Sequence, residues 1–362
     1  MTHSLKLALT LIAATALTAC GGGDDDSAPT SSYRPTVLVS DGSAPAPNTS
    51  PGLKNAWGLA FNPKGVAWVS GNGSQSSVLF DGNGAPQALT VTLPAATRGT
   101  ASPTGIVFNG SATDFAVTSA DKTASAAFVF ATDVGTLAGW SPKVLPTEAV
   151  TAYDDAAGGA TYKGLALAQR GAANYLFATD FHNNKVDVFD ASFHKLDAAE
   201  GAFHDASIPA GYAPFGIQAV GDKLFVTYAQ QDAAARAQVV GAGLGIVDVF
   251  DTSGKLLAQL EKGAFLNAPW GIAQAPADFG ALSNDVLVGN FGDGTVSAFD
   301  PVTYRYLGKL AQADGGAFTQ KGLWGMAFGN GVQNQPKNTL FYAAGPSKTT
   351  GIYGRIDLVT TP

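Results

Sequence analysis

The chain has very little cysteine and very little charge. Cys20 is the single cysteine among its 362 residues, so no disulfide can form within the chain. Charged residues make up only 14% of the sequence, and three of them are glutamate. A helix bundle needs many charged positions on its outer faces, so this composition disfavours one. The 44 glycines and 19 prolines indicate many short strands joined by tight turns.

Basic residues are also scarce. Twenty-one Lys and Arg face 28 Asp and Glu, which gives a formal net charge of −7 at pH 7. No basic run occurs that would attract a phosphate backbone, and we therefore expect no nucleic-acid partner. The sequence also lacks the Gly-x-Ser-x-Gly and His-Glu-x-x-His motifs, a cysteine pair and a phosphate-binding loop. No catalytic residue can be assigned by motif.

The N-terminus predicts export. Lys6 precedes an apolar run over residues 7–17, which is too short to span a bilayer and is typical of a signal peptide. The run ends in Leu-Thr-Ala-Cys, which resembles the bacterial lipobox, a motif whose cysteine is diacylated and becomes the first mature residue. We predict a lipoprotein signal peptide over 1–19 and lipidation of Cys20. An ordinary signal peptide with an incidental cysteine is the alternative.

The segment after Cys20 is rich in Gly, Asp and Ser and predicts a flexible tether over 20–35. Its three adjacent Asp, at 24–26, are expected to be solvated charges. By resemblance to lipoprotein sorting rules, Gly21 favours the outer membrane, on the periplasmic side or at the cell surface. No apolar run after the signal peptide is long enough to form a transmembrane helix.

One strand pattern recurs six times in the remainder, residues 36–362. A residue that is usually aromatic precedes a glycine and an apolar strand, at Trp57-Gly58, Thr104-Gly105, Lys163-Gly164, Phe215-Gly216, Trp270-Gly271 and Trp324-Gly325. The glycines are 47 to 59 residues apart, a spacing that suits four short strands and their loops. Glycine at this point allows close backbone approach near a crowded axis. The pattern predicts an all-β, six-bladed β-propeller.

Two blades depart from the regular pattern. In blade two, Phe128–Asp133 matches the second strand of the other blades, which leaves Asp114–Thr118 as an inserted strand or a strand extension, although Phe115–Thr118 could itself be the second strand. Blade six supplies three strands before the chain ends. We predict that the N-terminal strand over 36–40 completes it, because closing the ring removes both exposed strand edges. A closed ring of this kind is expected to be a monomer.

The repeats resemble NHL repeats. The nearest copy runs from Thr179 through Asn184 to Asp190, and the next from Asn290 to Asp300. The mature chain also resembles an uncharacterised family of secreted bacterial proteins, through Ser-Asp-Gly-Ser-Ala-Pro-Ala at 40–46 and Asn-Ala-Trp-Gly-Leu-Ala-Phe at 55–61. This resemblance implies a propeller. It implies no reaction, because that family carries none that is established.

Loops that enter the first strand of each blade, or join its second and third strands, share one face of a propeller. Aromatic walls with a few amides and carboxylates suit a small molecule, a glycan or an envelope protein. We expect such a binding funnel to include Asn55, Trp57, Asp133, Asp180, His182, Phe215, Tyr228, Asn267, Trp270, Asn290 and Trp324. Of these, Trp270 and Asn290 are the two that the fold alone is not expected to require. The alternative for each tryptophan is packing between blades.

An enzyme in the same funnel is the competing prediction. Asp133, Asp180 and Asn290 are weak candidates for a Ca²⁺ site that would serve a metal-assisted hydrolase or lyase. No other cofactor is evident, and His182 is the one histidine expected near the funnel. The loop 228–244 is long for a hairpin connection and could form a lid.

Overall fold

The described part of the chain is a closed ring of six sheets. The computed structural model describes residue 1, residues 31–197 and residues 199–360, so the signal peptide and Cys20 lie outside the described residues. The sheets are antiparallel four-stranded blades with small additions, and their innermost strands contact one another around one axis. Helical structure in the described ranges is limited to two 3-10 turns, Asn72–Ser74 and Gly280–Leu282. The predicted all-β, six-bladed propeller is confirmed.

The blades follow one another along the chain, each running from the axis outwards. Blade one comprises Ala56–Phe61, Ala67–Gly71, Ser76–Phe80 and Pro86–Thr92. Blade two comprises Pro103–Phe108, Phe128–Thr132, Thr136–Trp140 and Val150–Asp154. Blade three comprises Tyr162–Arg170, Ala173–Asp180, Lys185–Phe189 and Lys195–Leu196.

The second half of the ring repeats this order. Blade four comprises Tyr212–Val220, Lys223–Gln231, Ile246–Asp251 and Leu256–Gln259, and the short strand Gln238–Val239 pairs with its second strand. Blade five comprises Pro269–Gln274, Val286–Asn290, Val296–Phe299 and Tyr306–Lys309. Blade six comprises Leu323–Phe328, Thr339–Ser347, Thr350–Thr360 and, outermost, Ser31–Ser40, with Asn48–Thr49 parallel to that last strand.

The N-terminal strand closes the ring as predicted. Ser31–Ser40 runs antiparallel to Thr350–Thr360, with Ser31 opposite Thr360 and Ser40 opposite Ile352. The strand begins at Ser31, which corrects the predicted end of the tether at residue 35. The first residues of this strand are also held by a side-chain contact outside the strand pairing. The hydroxyl of the buried Tyr33 donates a hydrogen bond to the Phe279 carbonyl at 2.7 Å.

The axial glycines are needed for the reason predicted. A Cβ on Gly325 would lie 2.7 Å from the carbonyl oxygen of Trp57 in blade one, and a Cβ on Gly164 would lie 2.9 Å from the amide nitrogen of Ile217. A Cβ on Gly271 would collide with the Trp324 carbonyl oxygen. Each glycine therefore lets its innermost strand meet the backbone of the next blade.

Blade two contains the insertion. Phe128–Thr132 is its second strand, and Ala116–Ser119 pairs with Lys122–Ser125 in a separate two-stranded hairpin. Phe115 leads into this hairpin with a positive φ of 55° and is fully buried against Phe193 of blade three. The reading of 114–118 as an inserted strand is confirmed, and the alternative is wrong.

The hydrophobic core is divided into layers between adjacent blades. One such layer joins Trp68 of blade one to Phe128 and Trp140 of blade two, with the Trp68 and Phe128 rings stacked 4.1 Å apart. Because apolar burial is the main stabilising term, every blade depends on both neighbours. Because the core lies between the blades, cavities can form at the two ends of the axis.

Candidate functional site

Three tryptophans meet at the end of the axis where the innermost strands begin, which we call the top face. The rings of Trp57 and Trp324 stack with centroids 3.6 Å apart, and Trp270 meets both edge-on, at 6.3 and 5.7 Å. Phe215 and Phe291 pack against Trp324. The three tryptophans are buried, with Trp270 the most exposed at 9%. They form an aromatic cluster that fills the top of the axis.

This cluster contributes to packing between blades, which was the alternative considered for each tryptophan. Trp270 of blade five also reaches across the axis, where its Nε1 donates to the Lys163 carbonyl of blade three at 3.1 Å. The buried Nε1 atoms of Trp57 and Trp324 have no hydrogen-bond partner among the described residues. Stacking and burial therefore hold those two rings.

A cavity of about 590 Å³ lies beside the cluster and opens on the top face. We call it the funnel, and its lining is Asn55, Trp57, Asn72, Gly73, Gln75, Ser102, Asp133, Lys163, Arg236, Ala237, Gln238, Phe291, Trp324, Gly345, Pro346, Ser347 and Lys348. Four of the predicted residues line it, namely Asn55, Trp57, Asp133 and Trp324. A space of this size is typical of a small-molecule site.

Lys163 lines the funnel and is a candidate that motif reasoning missed. Its side chain is 7% exposed, and its ammonium lies 5.2 Å from the centroid of the Trp57 ring and 6.0 Å from that of Phe181. Burial lowers the pKa of Lys163 to about 8, although Asp133 and Asp232 act in the opposite direction. The signal was present in the sequence, since Lys163 is the one charged residue among the six that precede an axial glycine.

Asp133 is the one carboxylate in the funnel lining. Burial raises its pKa, against the opposing effects of Lys163 and of hydrogen bonds from Ser102 and Asn72. The Ser102 amide donates to Asp133 Oδ1 at 3.2 Å. Burial thus disfavours the charged forms of both Asp133 and Lys163, which act on each other through their charges without forming an ion pair.

Two asparagines order the blade-one side of the funnel. Asn55, in a left-handed backbone conformation at φ 48°, donates from Nδ2 to Asn72 Oδ1 at 2.9 Å. Asn72 Nδ2 in turn donates to the Pro103 carbonyl at 3.2 Å. Asn72 was not predicted. It is the blade-one counterpart of Asp133, because each follows the second strand of its blade.

The long loop of blade four forms one wall of the funnel. It starts within the strand Lys223–Gln231, and Gln238 and Val239 pair back onto Gln231 and Gln230. Arg236 donates from a guanidinium nitrogen to the Thr161 hydroxyl of blade three at 2.9 Å. The predicted lid therefore stands at the rim, linked to the neighbouring blade.

Two predicted residues have side chains occupied by structural hydrogen bonds. Asp180 Oδ1 accepts from the Thr161 amide at 3.0 Å, and Asn290 Oδ1 accepts from the Asn267 amide at 2.9 Å. Asn290 Nδ2 also donates to the Phe265 carbonyl at 3.0 Å. Each side chain ties the loop entering its blade to the end of the second strand. This corrects the expectation that the fold does not require Asn290.

The remaining candidates lie outside the funnel lining. His182 Nδ1 donates to the Ala235 carbonyl at 3.2 Å and so supports the blade-four loop. Asn267 Oδ1 accepts from the Gly241 amide at 2.7 Å. Phe215 belongs to the aromatic cluster, and Tyr228 lies in the layer between blades three and four. The structure gives these four side chains supporting positions.

The weak calcium candidates belong to three different blades. Within the residues that the structure describes, no three His, Cys, Asp or Glu side chains come together in a way that could hold a metal ion. The carboxylate of Asp180 and the amide of Asn290 already bind backbone groups. Asp133, at the funnel, is the one candidate in contact with the cavity.

The opposite end of the axis holds a second cavity, of about 390 Å³. It is surrounded by the ends of the innermost strands, and its polar side chains are Gln218 and Gln274. The charged groups and the tryptophans belong to the top face. We therefore place the candidate site in the funnel. No helix in the described ranges has the length and hydropathy needed to cross a membrane.

Fold and cavity together define a six-bladed β-propeller with a charged, aromatic-walled funnel at one end of its axis. No protein-family model matches the chain. An uncharacterized protein of Acanthamoeba polyphaga mimivirus is 30% identical over 300 residues, which is 82% of this chain and 73% of the viral protein. The chain belongs to the same family as that viral protein. A second uncharacterized mimivirus protein is 28% identical over 300 residues, covering 82% of this chain and 78% of its own length.

Solved structures with similar folds are also propellers. A catalytically inactive virginiamycin B lyase from Staphylococcus aureus, with quinupristin, has a TM-score of 0.51 at 13% identity, over 91% of this chain and 100% of the lyase. The apo form of an aldose sugar dehydrogenase from Escherichia coli has a TM-score of 0.52 at 13% identity, over 90% and 99% of the two chains. At this identity the likeness shows the fold alone.

Proposed function

We propose that the protein is a binding module of the cell envelope whose funnel takes up a small molecule. The observation that carries this proposal is the composition of the cavity wall. Trp57, Trp324 and Phe291 offer flat apolar surface, while Asn72, Asp133 and Lys163 offer polar groups in the same space. Apolar contact with a few fixed polar groups is the general arrangement of small-molecule sites. A glycan end or a peptide of an envelope protein would use the same groups.

A variant that fills the cavity tests this proposal. Ala237 lines the funnel on the blade-four loop, so Ala237→Trp is expected to block it, whereas Ala219→Trp at the opposite axial cavity is the matched control. The mature chain and both variants would be titrated with neutral sugars, aromatic carboxylates and aromatic amines, and binding followed by calorimetry. Binding that survives Ala237→Trp, or that is lost only in Ala219→Trp, contradicts the proposed site.

The proposed location depends on the N-terminal segment. The apolar run at 7–17 and the lipobox-like sequence ending in Cys20 support an exported lipoprotein, and Gly21 supports the outer membrane. The resemblance of the chain to secreted bacterial proteins with NHL-like repeats supports the same location. In a bacterial host fed an alkyne fatty acid, the chain is expected to become labelled and to sediment with outer membranes.

Cys20→Ser is expected to abolish both the labelling and the membrane association, because the acyl chains require the cysteine. Ser27→Ala, in the same segment, serves as the control and should leave both unchanged. Labelling that persists in Cys20→Ser would show that the cysteine is incidental. That result would remove the lipid anchor from the proposal and leave the funnel untouched.

A further inference from the structure

The side chain of Lys163 is buried, and its ammonium, at the wall of the funnel, has no protein partner among the described residues. Among the described residues no hydrogen bond or ion pair is formed by its Nζ, and the nearest groups at ring-contact distance are the faces of Trp57 and Phe181. A buried charge is normally paired, because losing its hydration is costly. The side chain is 93% buried, and the wall of the funnel is where its ammonium can meet a ligand.

The charges around Lys163 favour an anion. Arg236 and Lys348 stand exposed at the rim, and Asp133 is the one acid in the lining. Asp232 also acts on Lys163 from the blade-four loop, so three positive groups face two negative ones, and the funnel keeps an excess of positive charge within a chain whose formal net charge is −7. Neither Arg236 nor Lys348 takes part in an ion pair within the described ranges, although Arg236 Nη1 donates to the Thr161 hydroxyl. An acidic protein with a positive cavity attracts anions there and repels them elsewhere.

The apolar wall limits the shape of that anion. Trp57, Trp324 and Phe291 line one side; the first two are buried and stacked on each other, so the half-buried Phe291 offers the ring on which a flat body can pack. The cavity of about 590 Å³ is much larger than an inorganic ion needs. An organic acid with a planar apolar body can pair its carboxylate with the positive groups and pack its apolar part against the aromatic lining.

We propose that the funnel binds a small organic carboxylate, with the carboxylate on Lys163 and Arg236 and a planar apolar body against the aromatic side, where Phe291 is accessible. This inference rests on the proposed function and deepens it by naming the ligand class. The carboxylate supplies the partner that the Lys163 ammonium lacks. Asp133 excludes ligands with a second acid at its side of the funnel.

The test compares benzoate with benzamide, which has nearly the same shape and no charge. Calorimetry on the mature chain at pH 7 is expected to show benzoate binding at least about tenfold more tightly, the usual gain from a charge-assisted hydrogen bond. The preference should fall as the pH rises through about 8, because Lys163 then loses its proton. The other charged groups facing it are Asp133, Asp232, Arg236 and Lys348.

Lys163→Met removes the charge and keeps an apolar side chain among the rings, and it is expected to abolish the preference for benzoate. Lys143→Met, on an exposed loop of blade two, is the matched control and should keep it. If Lys163→Met does not fold, as judged by thermal melting, Arg236→Gln at the exposed rim should still reduce benzoate affinity severalfold and leave benzamide unchanged.

Equal affinities for benzoate and benzamide would overturn the inference, and so would a preference that survives both variants. A neutral sugar that binds in the funnel, is lost in Ala237→Trp and competes with no carboxylate would overturn the carboxylate class while leaving the proposed function intact. Failure of every probe to bind in the millimolar range would overturn both.

Discussion

Two aspartates at the same position of neighbouring blades are predicted to affect stability in opposite directions. Asp187 of blade three pairs with Ala178, and Asp248 of blade four pairs with Val226, at matching registers of the second and third strands. Asp187 binds Lys185 at 2.9 Å, Lys195 at 3.0 Å and the Tyr162 hydroxyl at 2.9 Å. Asp248 has Gln259 at 2.8 Å, while its Oδ2 has no partner in the described chain.

The environment of Asp248 penalises its charged form. Burial raises its pKa from 3.8 to about 7, and Asp205 acts in the same direction. The folded state holds the Asp248 proton more tightly than the unfolded state does. The contribution of this proton to stability is therefore fully present below about pH 4, is lost as the pH rises towards about 7, and is absent above that. A shift of about three pKa units corresponds to roughly 4 kcal/mol lost between pH 4 and pH 8. Asp248→Asn keeps the acceptor for Gln259 and removes the titration.

Urea unfolding at pH 4 to 8 measures this effect. The free energy of unfolding of Asp248→Asn should exceed that of the parent by an amount that grows with pH and levels off near pH 8. Asp187→Asn should instead lose about 3 kcal/mol, because a partly buried lysine and a tyrosine hydroxyl lose their charged partner. Parallel pH curves for the parent and Asp248→Asn would refute the reasoning, since other carboxylates titrate equally in both proteins.

Two further substitutions test the structural roles assigned above. Gly271→Ala should lower the free energy of unfolding by about 3 kcal/mol, because the new Cβ collides with the Trp324 carbonyl, whereas Gly110→Ala has room and should be nearly neutral. A neutral outcome at Gly271 in thermal melting would contradict axial crowding. Asp180→Ala should cost about 2 kcal/mol in urea unfolding by leaving the Thr161 amide without its acceptor, and calcium should not alter this cost. A calcium-dependent melting temperature that Asp180→Ala abolishes would restore the metal site instead.

The six-bladed ring could be predicted because each blade carries its own short sequence pattern. A glycine at each axial strand, preceded by an aromatic residue in four of the six, predicted the number of blades, and the missing fourth strand of blade six predicted the closing strand. Blade two was ambiguous because its hairpin at 116–125 has the same alternation as a blade strand. Which strand joins the sheet is decided by the burial of Phe115 against Phe193 of blade three, a contact that no local pattern contains.

The funnel could be predicted only in part. Position in the repeat correctly placed Asn55, Trp57, Asp133 and Trp324 at the cavity. It could not distinguish Asp133, which faces the cavity, from Asp180, which is fully buried with both oxygens accepting hydrogen bonds from Thr161 and Asn183. Arg236 reaches the funnel through the course of a long loop and a hydrogen bond to the next blade, which periodicity does not encode.

The closing strand has a consequence for the order of folding. Ser31 pairs with Thr360, so the last blade joins positions that are 329 residues apart in the chain. Contacts this distant carry a high loop-closure cost and form slowly. During synthesis blades one to five can gather around the axis, but blade six cannot acquire its outer strand until residues 350–360 have left the ribosome. The ring therefore stays open, with an unpaired outer edge on blade six, until both of its ends are available to pair.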